Sequence, residues 1–403
     1  MKSEDERWRT RDLLSSSDFV RLWLAGGFTN AMRWLELLAA GLYAYEVTGS
    51  GLAAAAVAAA RQLPQLLFGA FAGAVAEAVN RKHVFLAALL IPASISAILA
   101  TLAATGQLAL WHIVVGGFIS GTMWSTEMPT RRRMVGEAAG PARMVPAIAL
   151  DSMTGAATRM IGPLLGGVTF ELLGMAGAYG ISSAVQFICG GAILGFAYAQ
   201  ETRKLALGGI FTDIAAGLRF ARTNALILLV FVITIVVNAF AFCYSGLIAP
   251  IGSGEFKVSP TLVGVLAAAE PIGALTGGML LASGLVRVDR RLTFVGGSAL
   301  FFVALLVMAI SPSYWLAVAV LVLGGLGTAG FSNMQSTLML TEAPPEMRSR
   351  LMGIVTVCIG TGPLGVLLAG VLADVSSPRD AVLIMALVGL ALTIALSAKL
   401  RVR

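Results

Sequence analysis

Seven ionisable residues interrupt stretches of the chain that are otherwise apolar: Arg33, Glu36, Arg61, Glu127, Asp151, Arg159 and Glu270. Their types and spacing do not suit bond-making chemistry. HExxH, a GxSxG elbow, a Walker loop and a phosphate-binding GxGxxG are all missing. His83 and His112 stand alone, and Cys189, Cys243 and Cys358 lie singly in apolar runs without CxxC spacing. The sequence therefore predicts no enzyme, no metal site and no cofactor. Without an ATP site, any pumping has to draw on a gradient of protons or another ion. What remains is the chemistry of charge and of the proton. A desolvated carboxylate favours its neutral form and an arginine nearby favours the charged one, so proton uptake follows the distance between them. Glu36, Glu270 and Asp151 are the candidate proton-coupling carboxylates, and Arg33, Arg61 and Arg159 are their candidate partners.

Depth follows from residue counts at about 1.5 Å per helical residue. Glu36 precedes Tyr45 by nine residues, Arg61 follows Leu52 by nine, and Glu270 follows Pro260 by ten, so the three share one level. Arg33 lies one turn deeper. Arg61 and Glu270 also hold equivalent positions in the two halves of the sequence. A pair between them would form an outer gate, joined when that side closes and parted when it opens, with Glu36 competing for Arg61. The alternative is a static pair that only fixes packing. Arg33 and Glu36 share a helix face three residues apart and neutralise each other on one reading. Asp151 and Arg159, eight apart, fall loosely on one face. Asn30, Asn238, Asn333 and Gln335 either line a cavity or bond a neighbouring helix, the commoner fate of such residues in a membrane. Trp34, Trp124, Phe240, Phe331 and Met334 supply either a wall for apolar ligands or ordinary packing.

These residues need elements to hold them. The 403 residues are 58% hydrophobic and 12% charged, with a mean hydropathy of +0.87, against about 25% charged in soluble domains. The chain is an integral membrane protein, with the lipid bilayer as its surroundings. Continuous apolar runs such as 226–237 and 294–310 lack the alternation of barrel strands and have a helical character. The expected fold class is an all-α membrane protein of twelve helices. They fall near 19–45, 52–76, 83–105, 108–128, 145–169, 176–199, 225–250, 260–285, 292–311, 313–338, 350–373 and 380–398. The expected division is a tail (1–18), a six-helix bundle (19–199), a linker (200–224), a second six-helix bundle (225–398) and a tail (399–403). In the linker, Phe211, Ile214, Leu218 and Phe220 recur at helical spacing, as in a segment lying on a membrane surface.

Lys and Arg fall on the side of the N-terminus, apart from Lys257 and Arg379 opposite and Arg33, Arg61 and Arg159 inside helices. By the positive-inside rule both termini are cytoplasmic. The net charge of +7 is explained by this topology, so no nucleic-acid partner is expected. Residues 1–18 lack the apolar core of a cleaved signal peptide.

The two halves of the sequence echo each other. Ala58-Ala59-Ala60-Arg61 parallels Ala267-Ala268-Ala269-Glu270, and Val79-Asn80-Arg81-Lys82 parallels Val288-Asp289-Arg290-Arg291, both 209 residues apart. Gly162-Pro163-Leu164 parallels Gly362-Pro363-Leu364, 200 apart. Two such halves place a substrate site between them near the midplane. The segment Asp18-Phe19-Val20-Arg21-Leu22-Trp23-Leu24, with Tyr45-Glu46-Val47-Thr48-Gly49-Ser50 and Arg61-Gln62-Leu63-Pro64, resembles the major facilitator superfamily. More narrowly, the sequence is similar to the bacterial branch of macrolide-efflux proteins and the enterobactin exporter. Met128-Pro129-Thr130-Arg131 and Arg159-Met160-Ile161-Gly162-Pro163 resemble that branch too. The superfamily's loop motif, G-x-x-x-D-R-x-G-R-K, is met by residues 73–82 with Glu77 in place of Asp and Ala78 in place of the first basic residue. Glu77 is thereby a candidate for the charge network of that loop. Where the branch often has Asn-x-x-Asp-Trp, this chain has Asn30, Arg33 and Trp34, with the charge reversed.

The resemblance implies a monomer in a bacterial cytoplasmic membrane that exports an amphipathic small molecule by proton-coupled alternating access. A second reading is export or facilitated passage of an organic anion or siderophore, because three membrane arginines would meet its charge. From another class, a non-transporting sensor or a lipid-handling protein remains open.

Overall fold

The computed structural model of the chain describes residues 13–69, 79–140, 143–195, 210–283 and 289–399. Among them no strand occurs. The helices before residue 200 are α1 (Ser17–Thr48), α2 (Gly51–Phe68), α3 (Arg81–Ala104), α4 (Leu110–Ala139) and α5 (Met144–Leu194). Those after it are α6 (Ile210–Thr223), α7 (Ala225–Val236), α8 (Pro260–Ala282), α9 (Arg290–Ile310), α10 (Tyr314–Glu342), α11 (Pro345–Ile359), α12 (Gly362–Val375) and α13 (Pro378–Lys399). Eight described helical stretches are long and apolar enough to cross a membrane. Polar caps start several of these helices: Ser16, Ser50, Asn80, Asn224 and Asp289 each accept a backbone N–H of the first turn.

Several boundaries differ from those expected. α4 runs on to Ala139 rather than ending near 128, because Glu127 and Arg131 pair one turn apart inside it. Arg131, which lies beyond the expected end of this helix, is therefore a buried helical residue, 8% exposed. The spans expected at 145–169 and 176–199 are two helices that meet at a kink at Gly174 (φ 63°, ψ −165°) and are labelled together as α5; that conformation costs a side-chain-free residue little. The span expected at 225–250 is regular only to Val236. Beyond it the backbone passes through widened turns at Val237–Ala241, tightened turns at Phe242–Leu247 and widened turns again at Pro250–Glu255. The span expected at 350–373 breaks between α11 and α12 at residues 360–361. Part of the expected linker is the helix α6, packed with Gly217 against Ile354 of α11. Residues 200–209 of that linker, most of both tails and Glu77 lie outside the described residues.

α1 packs on α5, α3 on α5, and α2 on α4 within the first set, while α10 packs on both α8 and α9 in the second. The second set has an aromatic core of Phe294, Phe301, Phe302 and Phe331. The two sets meet along α5 with α8, and along α2 with α12 and the tightened turns after α7. These contacts are close because small residues face them. A Cβ at Gly264 would lie 2.7 Å from the Pro163 carbonyl oxygen, and one at Gly370 would lie 3.0 Å from Leu52 Cα.

Candidate functional site

Among the described residues, three buried polar clusters hold these membrane charges, and they differ in which helices they join. The first lies wholly within the N-terminal set. Glu36 on α1 is 2% exposed and accepts from Arg61 Nη1 of α2 at 2.8 Å. Its other oxygen accepts from Ser96 Oγ of α3 at 2.6 Å, and from Ser182 Oγ at 2.5 Å and Gln186 Nε2 at 3.3 Å, both on the second part of α5. Four donors from three other helical segments converge on this one carboxylate. The cluster ties four helical segments into one unit.

The second cluster also belongs to that set. Arg33 on α1 donates to Glu127 of α4 at 3.1 Å and to Asn30 at 3.2 Å, with its guanidinium 5.0 Å over the Trp124 ring. Arg131 donates to Glu127 at 2.8 Å and to Asp151 of α5. Asn30 donates to Thr158 of α5 at 2.6 Å. Two cations and two anions balance, as buried charges must. Gly26 lets the Arg131 stem cross α1, since a Cβ there would sit 2.5 Å from Arg131 Cδ.

The third cluster alone joins the two sets. Arg159 on α5 donates to Glu270 on α8 at 2.7 Å, and Thr328 Oγ1 of α10 donates to the other oxygen of Glu270 at 2.6 Å. The Glu270 side chain is 0% exposed and that of Arg159 is 35% exposed. The Arg159 guanidinium lies 5.7 Å from the Trp34 ring and 5.6 Å from that of Phe242. Both members of the pair line a cavity of about 70 Å³ between the sets, with Trp34, Tyr244, Pro163 and Pro271 also in its wall.

Several expected pairings are corrected. Arg61 does not meet Glu270: equal depth does not fix the direction a side chain takes around its helix. Arg61 turns into its own set towards Glu36, and Glu270 turns towards α5. Arg33 pairs with Glu127 rather than Glu36, and Asp151 with Arg131 rather than Arg159. Of the polar cavity candidates, Asn238 donates to Thr234 O, Asn333 to Ala329 O, and Gln335 to Thr234 Oγ1 at 2.6 Å. Trp34 is the residue of that group in the central wall. Sequence reasoning missed Ser96, Ser182, Gln186 and Thr328, whose hydroxyl and amide groups look like any others in an apolar run.

The sequence profile of the transmembrane secretion effector family matches residues 12–403. The chain belongs to that family, within the major facilitator superfamily. It is a membrane transporter rather than an enzyme. It is 26% identical over 345 residues to the multidrug efflux pump Tap of Mycolicibacterium fortuitum, covering 81% of this chain and 82% of that one. It is 27% identical over 246 residues to the enterobactin exporter EntS of Shigella flexneri, covering 59% of this chain and 56% of that one. In fold it resembles a bacterial homologue of the lysosomal transporter Spinster, with a TM-score of 0.75 at 13% identity, covering 95% of this chain and 96% of that one. The nucleoside transporter NupG is also similar, with a TM-score of 0.70 at 17% identity, covering 96% of this chain and 99% of that one. The superfamily fold expected from the sequence repeat is thus the fold observed.

Proposed function

We propose that this transporter exports amphipathic small molecules across a bacterial cytoplasmic membrane, both termini lying inside, by proton-coupled alternating access. The observation that carries the reading is the Arg159–Glu270 pair, the buried ion pair that bridges the two helical sets at the central cavity. Glu270, rather than Glu36, is the coupling carboxylate. Protonating Glu270 removes the charge that holds Arg159, and α5 and α8 lose a bond made while they are packed together. The proton then has a different affinity for the joined and the parted arrangement, which is the condition for shifting the balance between them. Glu36, met by four donors, and Asp151, paired with Arg131, both within the N-terminal set, act as scaffold. The relatives named as a multidrug efflux pump and an enterobactin exporter support the export direction.

One observation favours a second reading, transport of an organic anion. Arg33 and Arg61 are consumed by buried carboxylates, while Arg159 is the partly exposed member of its pair, between two aromatic rings. An anionic aromatic group fits that place in competition with Glu270. Proteoliposomes loaded with cationic, neutral or anionic amphipathic compounds test both readings. Release dependent on a pH gradient supports coupled export, and release unaffected by the gradient contradicts it. In Arg159→Met combined with Glu270→Gln, which strands no charge, loss of binding for anionic compounds alone supports the second reading.

A further inference from the structure

The two sets are fastened at the end of the bundle away from the N-terminus by a matched pair of contacts. At the start of α2, Asp374 at the end of α12 accepts from the backbone N–H of Leu52 at 3.1 Å and from Ser50 Oγ at 2.7 Å. At the start of α8, Glu171 of α5 accepts from the backbone N–H of Thr261 at 2.8 Å. The hydroxyls of Ser259 and Thr261 interact with the same carboxylate. Ser50 and Ser259 are the N-caps of their helices, and Leu52 and Thr261 are the second residues of α2 and α8. Both pairs are related by the same 209-residue offset that relates Arg61 to Glu270. Each carboxylate comes from the opposite set. A helix's first N–H groups have no partner inside the helix and carry partial positive charge, so a carboxylate there satisfies a donor and meets the dipole.

We infer that Glu171 and Asp374 are the positioning residues of a gate, a twofold latch in which each helical set caps a helix of the other and so holds this end of the transporter closed. The inference rests on the alternating-access reading, in which this end must open to release substrate. A latch of this kind is suited to repeated use. Both carboxylates are exposed, and Glu171 borders a cleft of about 1110 Å³ that also touches Pro260. Water therefore takes over the donors and acceptors when the sets part. A buried ion pair at the same place would strand charge on each opening.

The test measures conformation and needs neither substrate nor protons, so failure of the export reading leaves its outcome interpretable. Spin labels on Val47→Cys and Val375→Cys, in a chain whose three buried cysteines are alanine, report the distance between the sets at this end in lipid discs. Asp374→Ala and Glu171→Ala are each expected to raise the ratio of open to closed molecules about two- to thirtyfold, the range of a lost N-cap. The double variant is expected to multiply the two effects. Asp374→Asn, whose amide oxygen still accepts, should restore part of the closed population. Glu46→Ala, which changes an exposed acid at the same end, should leave the ratio unchanged. The latch is overturned if the folded, monodisperse alanine variants keep the wild-type distribution. It is equally overturned if Glu46→Ala opens the end as far as they do.

Discussion

Replacing Glu36 by Gln should damage the scaffold and leave proton coupling in whatever protein still folds. The carboxylate accepts four bonds, and the Arg61 side chain opposite is 10% exposed. In Glu36→Gln that guanidinium keeps its charge without a counter-charge, and one of the two oxygens becomes an NH₂ group facing donors. Stranding one member of a buried ion pair costs about 3–5 kcal/mol, a large share of the ~5–15 kcal/mol that holds a typical domain. Adding Arg61→Met should recover much of that loss, because a fully neutral pair strands nothing. The assay is thermal unfolding in detergent of the wild type, both single variants and the double, read as a double-mutant cycle. A coupling energy of several kcal/mol is expected. Unfolding of Glu36→Gln at the wild-type midpoint would refute a scaffold role, and the more so if that stable protein had lost substrate-driven proton movement.

Other expectations follow from the same contacts. Glu127→Gln leaves Arg33 without its carboxylate and Arg131 with Asp151 alone, so it should destabilise by ~3 kcal/mol or more in thermal unfolding. Adding Arg33→Met should recover part of that loss. A Cβ at Gly325 would lie 2.6 Å from the Ala274 backbone N, so Gly325→Leu should force α8 and α10 apart. Overpacking of ~1–3 kcal/mol or more is expected, visible as a lowered unfolding midpoint. Arg159→Lys keeps the charge at Glu270 but loses the guanidinium that lies over Trp34 and Phe242. Aromatic substrates should then bind roughly two- to fivefold more weakly in a competition assay.

The fold was legible because lipid imposes a crude rule: long apolar runs, positive residues kept to one side, and a repeat of Arg61 on Glu270 and of Gly162 on Gly362. The site was legible only as a set of residues. Arg33, Glu36, Arg61, Asp151, Arg159 and Glu270 all belong to buried ion pairs, since a charge in an apolar run needs a partner wherever it points. Which partner it takes depends on how each helix is rotated and on which neighbour it packs against, and counting residues along one helix measures only depth. Arg61 and Glu270 share a depth and face different ways. Glu127 and Arg131 fall at and beyond the expected end of their helix near residue 128 and are instead a buried pair inside a longer one. The break after Val236 was masked by an unbroken apolar run, although Gly246, Pro250, Gly252 and Gly254 stand in it. Glu171 and Asp374 drew no notice because, at a helix end, an acid looks like ordinary solvated surface.

Proton movement driven by substrate in sealed proteoliposomes, compared for wild type and Glu270→Gln, tests the central claim most directly. The substitution keeps a side-chain oxygen for Thr328 and leaves Arg159 partly solvated, so the protein should fold. The wild type is expected to move protons when a transported compound is added. Glu270→Gln is expected to exchange that compound across the membrane without moving protons. Wild-type proton movement by Glu270→Gln at every pH would contradict the account.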